Sequence, residues 1–202
     1  MTIAIFDYGA GNLRSVQNTL DELGCQYTLV RDSAGLRSAD KILLPGVGHF
    51  GQMMRALDEL QVRETLIERV RAGVPFFGIC LGMQALFETS EEAPEVRGLG
   101  IYPGKVERFG AGARVPHMGW NELAPRADSK LIRNLPARPY VYFAHSYYVP
   151  ANERASATCT YEVTYTAALE SENVFGVQFH PEKSAAVGLA IVKNFLELER
   201  TC

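Results

Sequence analysis

The first part of the chain alternates between short apolar runs and longer stretches with a helical repeat. The short runs are typical of strands buried on both faces of a parallel sheet. The stretches between them carry apolar residues three or four positions apart, which is the period of an amphipathic helix. Predicted strands span 2–7, 27–30, 41–44 and 75–79, and predicted helices span 13–23, 53–60 and 66–70. This alternation predicts right-handed crossovers and a parallel, doubly wound sheet.

The pattern changes after an acidic, proline-containing stretch at 91–95. Short alternating runs now follow one another, separated by turn residues, and we interpret them as mainly antiparallel strands with a hairpin tip at 170–173. Apolar residues at helical spacing return in 185–198, which is predicted to close the domain. The runs are 105–109, 140–144, 155–161, 163–169 and 174–179. The expected fold is therefore α/β: a mostly parallel doubly wound central sheet with helices on both faces and appended antiparallel strands, in one domain over 1–202.

Composition adds limits on function. The chain has 202 residues and a net charge of −3, which suits one globular domain and disfavours a nucleic-acid surface. No apolar run is long enough for a membrane span, and the N-terminus lacks the basic region of a signal peptide. The four cysteines lack the spacing of a metal site, which favours a cytoplasmic protein without bound metal. Cys25 and Cys159 are expected in the core or in strands, and Cys202 at a frayed terminus.

The candidate nucleophile is Cys80, which stands between two glycines in the run 78–82. A predicted strand ends at this cysteine, and the good helix formers of 81–88 predict a helix after it. Cys80 is then the thiol version of a nucleophile elbow, at a helix N-terminus that favours a thiolate. The structural alternative is a small cysteine buried under a glycine-rich turn.

The candidate base is His180, in the run 177–182. Pro181 holds the preceding residue in an extended conformation and ends the strand. Residues two apart in extended chain point to the same side, so Glu182 can accept a hydrogen bond from one ring nitrogen of His180. The other nitrogen is left for the thiol, as in a nucleophile–base–orienter triad. A strand-end histidine in a polar turn is the alternative for His180 taken alone.

A third motif, 45–48, follows the apolar strand at 41–44. Its glycines, Gly46 and Gly48, can expose backbone N–H groups to an anion. Together with the N–H of Leu81, these groups can form an oxyanion hole. A tight strand-to-helix turn is the commoner use of such glycines.

These three motifs resemble the class I glutamine amidotransferases in order and spacing, over essentially the whole chain. Four further runs resemble the glutaminase subunits of imidazole glycerol phosphate synthases. They are Phe6 to Leu13, Pro45 to Phe50, Pro116 to Asn121 and Tyr142 to Tyr147.

The resemblance implies that Cys80 attacks the side-chain amide of glutamine while His180, oriented by Glu182, shuttles the proton. It implies an oxyanion hole made by the N–H of Leu81 and, after a backbone rearrangement, the N–H of Val47. It implies no cofactor. The residues expected to bind glutamine are Gly46, Gly48, Gln84, Ser146 and Tyr147. Gln84 lies one helical turn beyond Cys80, so its side chain returns to the same face and can bind glutamine. A solvated helix position is the alternative for Gln84.

The resemblance also implies a partner, a (β/α)₈ barrel cyclase that forms a heterodimer with this chain and receives its ammonia. The products would be imidazole glycerol phosphate and aminoimidazole carboxamide ribotide, in histidine biosynthesis. Candidate interface residues are Asn12, Arg14, His117, Met118, Trp120 and Lys183. Exposed polar loop positions are the alternative for the charged and amide residues, and the core is the alternative for Trp120.

Three other functions stay open at this point. The chain can be the glutaminase of another amidotransferase, such as pyridoxal phosphate synthase. It can be a cysteine hydrolase that needs no partner. It can also be a non-catalytic interaction subunit, against which the complete set of Cys80, His180 and Glu182 speaks.

Overall fold

The computed structural model describes residues 2–10 and 12–198. The strands are β1 Ile3–Phe6, β2 Tyr27–Val30, β3 Lys41–Gly46, β4 Phe76–Cys80, β5 Phe87–Ser90, β6 Tyr102–Arg108, β7 His117–Glu122, β8 Ala124–Pro125, β9 Tyr140–His145, β10 Tyr147–Tyr148, β11 Ala155–Tyr161, β12 Val163–Ser171 and β13 Val174–Val177. The helices are α1 Leu13–Glu22, α2 Ser33–Ser38, α3 Phe50–Glu59, α4 Arg63–Arg71, α5 Leu81–Gln84 and α6 Ala185–Leu196, with a 3-10 turn at Pro181–Lys183.

The main sheet has a parallel part and an antiparallel part. Within the described residues its strand order is β2-β1-β3-β4-β13-β12-β11-β8. The first five strands in this order, β2-β1-β3-β4-β13, pair in parallel. The remaining strands, β12, β11 and β8, continue the sheet with antiparallel pairing. The predicted α/β class, with a parallel sheet and appended antiparallel strands, is confirmed.

Helices cover both faces of this sheet, as the sequence pattern predicts. Successive residues of β1 point to opposite faces. Ala4 and Phe6 enter one core with residues of α2, α3 and α4. Ile3 and Ile5 enter the other core with residues of α1 and α6. Because both faces are buried, the parallel strands read as continuous apolar runs.

The helix predicted over 81–88 is wrong beyond Gln84, because 87–90 forms β5. The backbone carbonyls of this segment accept hydrogen bonds from a later part of the chain rather than from their own next turn. The N–H of Leu99 donates to Ala85 O at 2.7 Å, and that of Gly98 donates to Glu88 O at 2.9 Å. Tertiary pairing therefore overrides the helix propensity here.

Two other runs are strands, but not strands of the main sheet. Residues 105–109 fall largely in β6, which joins β5 and β10 in a small three-stranded sheet. Residues 140–144 belong to β9, which pairs antiparallel with β7. The sequence pattern identifies their extended conformation but not their partners, since pairing depends on long-range contacts.

The run 174–179 also differs from its prediction. It forms β13 only to Val177, and β13 pairs in parallel with β4 on one side and antiparallel with β12 on the other. It is therefore part of the parallel array rather than an addition to its edge.

Smaller differences concern bounds and one missed helix. β3 continues through Pro45 to Gly46, and the last helix ends at Leu196 rather than at residue 198. The missed helix α2 is short and is capped by the side chain of Asp32, which accepts from the N–H of Gly35. Cys202 lies outside the described residues.

Candidate active site

The nucleophile elbow forms where β4 meets α5. Cys80 has φ 53° and ψ −108°, a backbone conformation that is strained for a residue with a side chain. The next turn presses against β3, because a Cβ on Gly82 would lie 1.8 Å from Leu44 O. Only glycine fits at that position. The side chain of Cys80 is therefore held at the carboxyl edge of the parallel sheet, where ligands of such sheets bind.

His180 reaches Cys80 because β13 and β4 are neighbours, with Val177 opposite Ile79. The imidazole lies beside Cys80 in the wall of one cavity, and its Nδ1 lies 2.8 Å from Glu182 Oε1. The side chains of His180 and Glu182 are 4% and 3% exposed. The structure thus brings the three predicted triad residues together at one buried site.

The surroundings of His180 favour its charged form. Burial alone lowers the pKa of His180, but hydrogen bonds to Cys80 and Glu182 outweigh it and raise that pKa to about 10. These partners favour the form of the ring that carries a proton on both nitrogens. With Nδ1 directed to Glu182, the Nε2 proton is directed to the sulfur of Cys80.

A cavity of about 160 Å³ opens beside Cys80. Its walls include most of the residues predicted to bind glutamine or the oxyanion: Val47, Gly48, Leu81, Gln84, Ser146 and Tyr147. Gly46 is not in the wall. It supports the elbow instead, since a Cβ on Gly46 would lie 2.8 Å from Gly82 N.

The N–H of Val47 is not free to bind a ligand in the cavity, because it is hydrogen-bonded to Tyr8. This N–H donates to the hydroxyl of Tyr8 at 3.2 Å, and the same hydroxyl donates to Val47 O at 3.2 Å. Burial is the main reason that the pKa of Tyr8 is raised to about 12, so the hydroxyl keeps its proton. In this conformation the oxyanion hole lacks one of its two predicted donors.

Gln84 is buried rather than solvated, with 4% of its surface exposed. Its Nε2 donates to Tyr147 O at 2.9 Å and to Gln178 Oε1 at 2.9 Å. Both amide protons are therefore used inside the protein. Only the Oε1 of Gln84 is left to contact a ligand in the cavity.

Sequence reasoning misses four residues of the cavity wall. They are Glu92, Pro116, Ala144 and His145. Glu92 accepts from the N–H of Phe50, at the start of α3, at 2.7 Å. The acidic segment 91–95 marks only a change of pattern in the sequence, whereas the fold places Glu92 in the wall of the cavity.

The candidate interface residues separate into exposed and buried groups. Met118 and Trp120 on β7 are 64% and 53% exposed, so Trp120 is not a core residue. Arg14 and Lys183 are exposed, and Asn12 is half-buried at the start of α1. His117 is only 4% exposed, so its ring does not lie on a surface that a partner can contact.

Two negative findings apply to residues 2–10 and 12–198. No group of three or more potential ligands could hold a metal ion there, and no helix there is long and apolar enough to cross a membrane.

Comparison with known proteins gives the same family at the level of sequence and fold. Residues 4–198 match the glutamine amidotransferase class-I family. A Methanothermobacter thermautotrophicus protein named imidazole glycerol phosphate synthase subunit HisH is 47% identical over 199 residues, covering 98% of this chain and 99% of that protein. A Desulfitobacterium hafniense protein of the same name is 46% identical over 195 residues, covering 96% and 92%.

A crystal structure of a glutamine amidotransferase superposes with a TM-score of 0.76 at 21% identity, covering 96% of this chain and 97% of that one. At this identity the likeness concerns the fold, which matches the observed sheet and helices. The chain therefore belongs to the class I glutamine amidotransferases and, among them, to the HisH subunits of imidazole glycerol phosphate synthase.

Proposed function

We propose that this chain hydrolyses glutamine to glutamate and ammonia through Cys80, His180 and Glu182. We propose further that it passes the ammonia to a (β/α)₈ barrel cyclase, which makes imidazole glycerol phosphate and aminoimidazole carboxamide ribotide in histidine biosynthesis. The observation that carries this proposal is the position of His180, which lies beside Cys80 in the cavity wall and is hydrogen-bonded to Glu182. The free thiols Cys25, Cys80 and Cys159 suit a cytoplasmic location.

The chemistry follows from these positions. The Cys80 thiolate attacks the side-chain amide carbon of glutamine and forms a tetrahedral intermediate. The imidazolium of His180 gives its Nε2 proton to the amide nitrogen, which leaves as ammonia, and a thioester remains on Cys80. Neutral His180 then takes a proton from water, whose oxygen attacks the thioester. Glutamate leaves and the thiolate returns.

Glutamine needs partners for its polar groups in the cavity. Glu92 lies in the wall, and its carboxylate would supply a counter-charge for the α-ammonium group. The Oε1 of Gln84 can accept a further hydrogen bond. Backbone groups of Ser146 and Tyr147, also in the wall, suit the amino-acid end of the substrate.

The resting position of Val47 supports partner-dependent activity. Leu81 at the start of α5 supplies one N–H to the oxyanion, whereas the N–H of Val47 is bound to Tyr8. One missing oxyanion donor typically lowers the rate about 10²- to 10³-fold. We therefore expect low glutaminase activity from this chain alone and strong activation in the complex.

The surface around β7 supports the partner. Met118 and Trp120 are apolar and exposed on a strand that pairs with β9. Ala144 and His145, at the end of β9, line the cavity. A barrel subunit that covers Met118 and Trp120 would thus lie next to the place where ammonia is released.

The test is glutamate release from glutamine by the purified chain, alone and with the cyclase barrel and its ribulosyl substrate. Cys80→Ala is the control. Release that depends on the barrel and is absent from Cys80→Ala is the expected result. Release that ignores the barrel would indicate another amidotransferase or a partner-independent cysteine hydrolase. No release under either condition would leave Cys80 as a buried structural cysteine.

A further inference from the structure

A second side chain besides His180 contacts the sulfur of Cys80. Gln178 follows β13, two residues before His180, and is fully buried with 0% exposure. Its Nε2 lies 3.6 Å from Cys80 Sγ, within the range for a hydrogen bond to sulfur. The proposed triad gives this residue no role, although its segment supplies the base. A buried amide aimed at the nucleophile therefore needs an explanation.

The orientation of this amide follows from its neighbours. Tyr147 O can only accept, so Gln84 must direct its Nε2 to it. The second proton of the same Nε2 then points to Gln178, whose Oε1 must accept it. The NH₂ group of Gln178 is left for Cys80 Sγ. An inverted Gln178 would set NH₂ against NH₂ and oxygen against sulfur, and both contacts would repel.

Tyr147 O is itself fixed by a further donor. His145 Nδ1 lies 2.8 Å from Tyr147 O, and a carbonyl can only accept from it. Burial lowers the pKa of His145 to about 3, so this ring is neutral and carries its single proton on Nδ1. Tyr147 O therefore accepts from both His145 and Gln84. From Gln84 onward each amide donates to the next group, and the last bond ends at Cys80 Sγ.

We propose that Gln178 is a positioning residue that acts directly on the nucleophile, by donating a hydrogen bond to the sulfur of Cys80. The bond holds the sulfur between two donors and favours its anionic form, because hydrogen bonds to charged groups are stronger than neutral ones. Gln84 orients the donor. The proposal rests on the proposed function, in which Cys80 reacts as a thiolate.

A neutral second donor keeps its proton throughout the reaction, whereas His180 gives up its proton and later takes one from water. His180 gives up its proton when ammonia leaves, so it is uncharged while the thioester exists. Gln178 has the same charge and the same proton at every stage. When the thioester is hydrolysed and the sulfur departs as an anion, the amide of Gln178 is still directed at it.

The test is the rate of Cys80 alkylation by iodoacetamide as a function of pH, followed by mass spectrometry of the Cys80 peptide. It needs neither glutamine nor cyclase, so it separates failure of this inference from failure of the proposed function. In Gln178→Met, which keeps the length but not the donor, the midpoint pH of alkylation should rise by about one unit. In the complex, kcat should fall about 10- to 100-fold.

Asn173→Leu is the matched control. Asn173 precedes the opposite end of β13, and its buried amide donates to Val70 O and Val74 O at 2.8 Å each. The Asn173→Leu substitution should lower the melting temperature, because it removes a buried amide. It should leave the midpoint pH of Cys80 alkylation unchanged. A midpoint that stays at the wild-type value in folded Gln178→Met would overturn the inference.

A measurement on the unmutated chain covers the case in which Gln178→Met does not fold. In protein labelled with ¹⁵N-glutamine, the side-chain amide protons of Gln178 should shift with the same midpoint pH as Cys80 alkylation. Amide resonances of Gln178 that do not change through that pH range would equally reject the hydrogen bond.

Discussion

Glu182 acts on the nucleophile through His180, whose Nδ1 it holds at 2.8 Å. Glu182→Gln keeps the size of the side chain but removes the charge that stabilises the imidazolium. Since general acid–base catalysis is worth about 10²- to 10⁴-fold, we expect kcat in the complex to fall by that range. KM should change little, because Glu182 does not line the cavity. A loss smaller than about tenfold in steady-state assays would contradict this role.

The same variant should change the pH dependence. Burial lowers the pKa of His180, but Cys80 and Glu182 together raise it to about 10. Without the carboxylate this pKa falls, and the ring loses its proton at lower pH. The alkaline decline of kcat should therefore begin at lower pH in Glu182→Gln than in the wild type. A pH profile with an unmoved alkaline limb would be inconsistent with the ion pair.

Tyr8 holds the N–H of Val47 away from the oxyanion site. Tyr8→Phe removes one hydroxyl that makes two hydrogen bonds with Val47. Because one hydrogen bond contributes about 1 kcal/mol, glutamate release by the chain alone should rise about 2- to 10-fold. Tyr102→Phe is the control, since Tyr102 is equally buried at 8% but packs against Phe87 and Arg154 rather than against Val47. Unchanged or lower basal activity in Tyr8→Phe would show that Tyr8 does not restrain the turn.

At the level of elements, β7 and β9 enclose a pair of neutral histidines. His117 Nδ1 lies 3.3 Å from His145 Nε2, and Tyr165 OH lies 3.3 Å from each of these atoms. Burial lowers the pKa of His117 to about 4 and that of His145 to about 3. Both rings are therefore uncharged in the folded protein at neutral pH.

This pair predicts a loss of stability in acid. Both pKa values lie below the unfolded value near 6.5, so the unfolded chain binds more protons as the pH falls from about 6.5 to 4. His117→Phe keeps the ring stacked on Tyr161 (centroids 4.0 Å apart) but cannot bind a proton. Its free energy of unfolding in urea should fall less steeply over this range, by about 1.4 kcal/mol per pH unit. Equal slopes for the two proteins would contradict the prediction.

The sequence predicts the elements that local patterns define. The strands before Pro45 and Cys80 are recognisable because both faces of a parallel strand are apolar, and α1, α3 and α4 because their apolar residues repeat at helical spacing. Residues 85–88 are mispredicted because hydrogen bonds to their carbonyls from N–H groups in 98–102 outweigh their helix propensity. Propensity is local, whereas that pairing is not.

In the site, too, local sequence motifs are predictable and long-range contacts are not. Cys80, His180 and Glu182 are predictable because each stands in a short motif whose chemistry depends on its neighbours in sequence. The contacts of Tyr8 with Val47, and of Gln178 with Gln84, join segments that are distant in the chain. No local pattern marks such contacts, so the resting state of Val47 and the second donor to Cys80 emerge only from the fold.

At the scale of the whole molecule, the exposed apolar pair on β7 predicts where a partner binds. Trp120→Ala should raise the Kd for the cyclase barrel about 10- to 100-fold, because buried tryptophans contribute strongly to interfaces. Leu29→Ala is the matched control, since Leu29 is 43% exposed on β2 at the far edge of the sheet. Titration calorimetry with the barrel measures both. Equal effects of the two substitutions would place the interface elsewhere.

The position of β13 has a consequence for how the protein is made. β13 is the last described strand in chain order, yet it lies in the middle of the sheet between β4 and β12. While the ribosome is still making this segment, β4 has an open edge and Cys80 has no base beside it. Docking of the hairpin of β12 and β13 on β4 closes the sheet, and His180 follows β13 closely in the chain. A chain that ends before His180 therefore lacks the base of the proposed triad, and we expect it to be inactive.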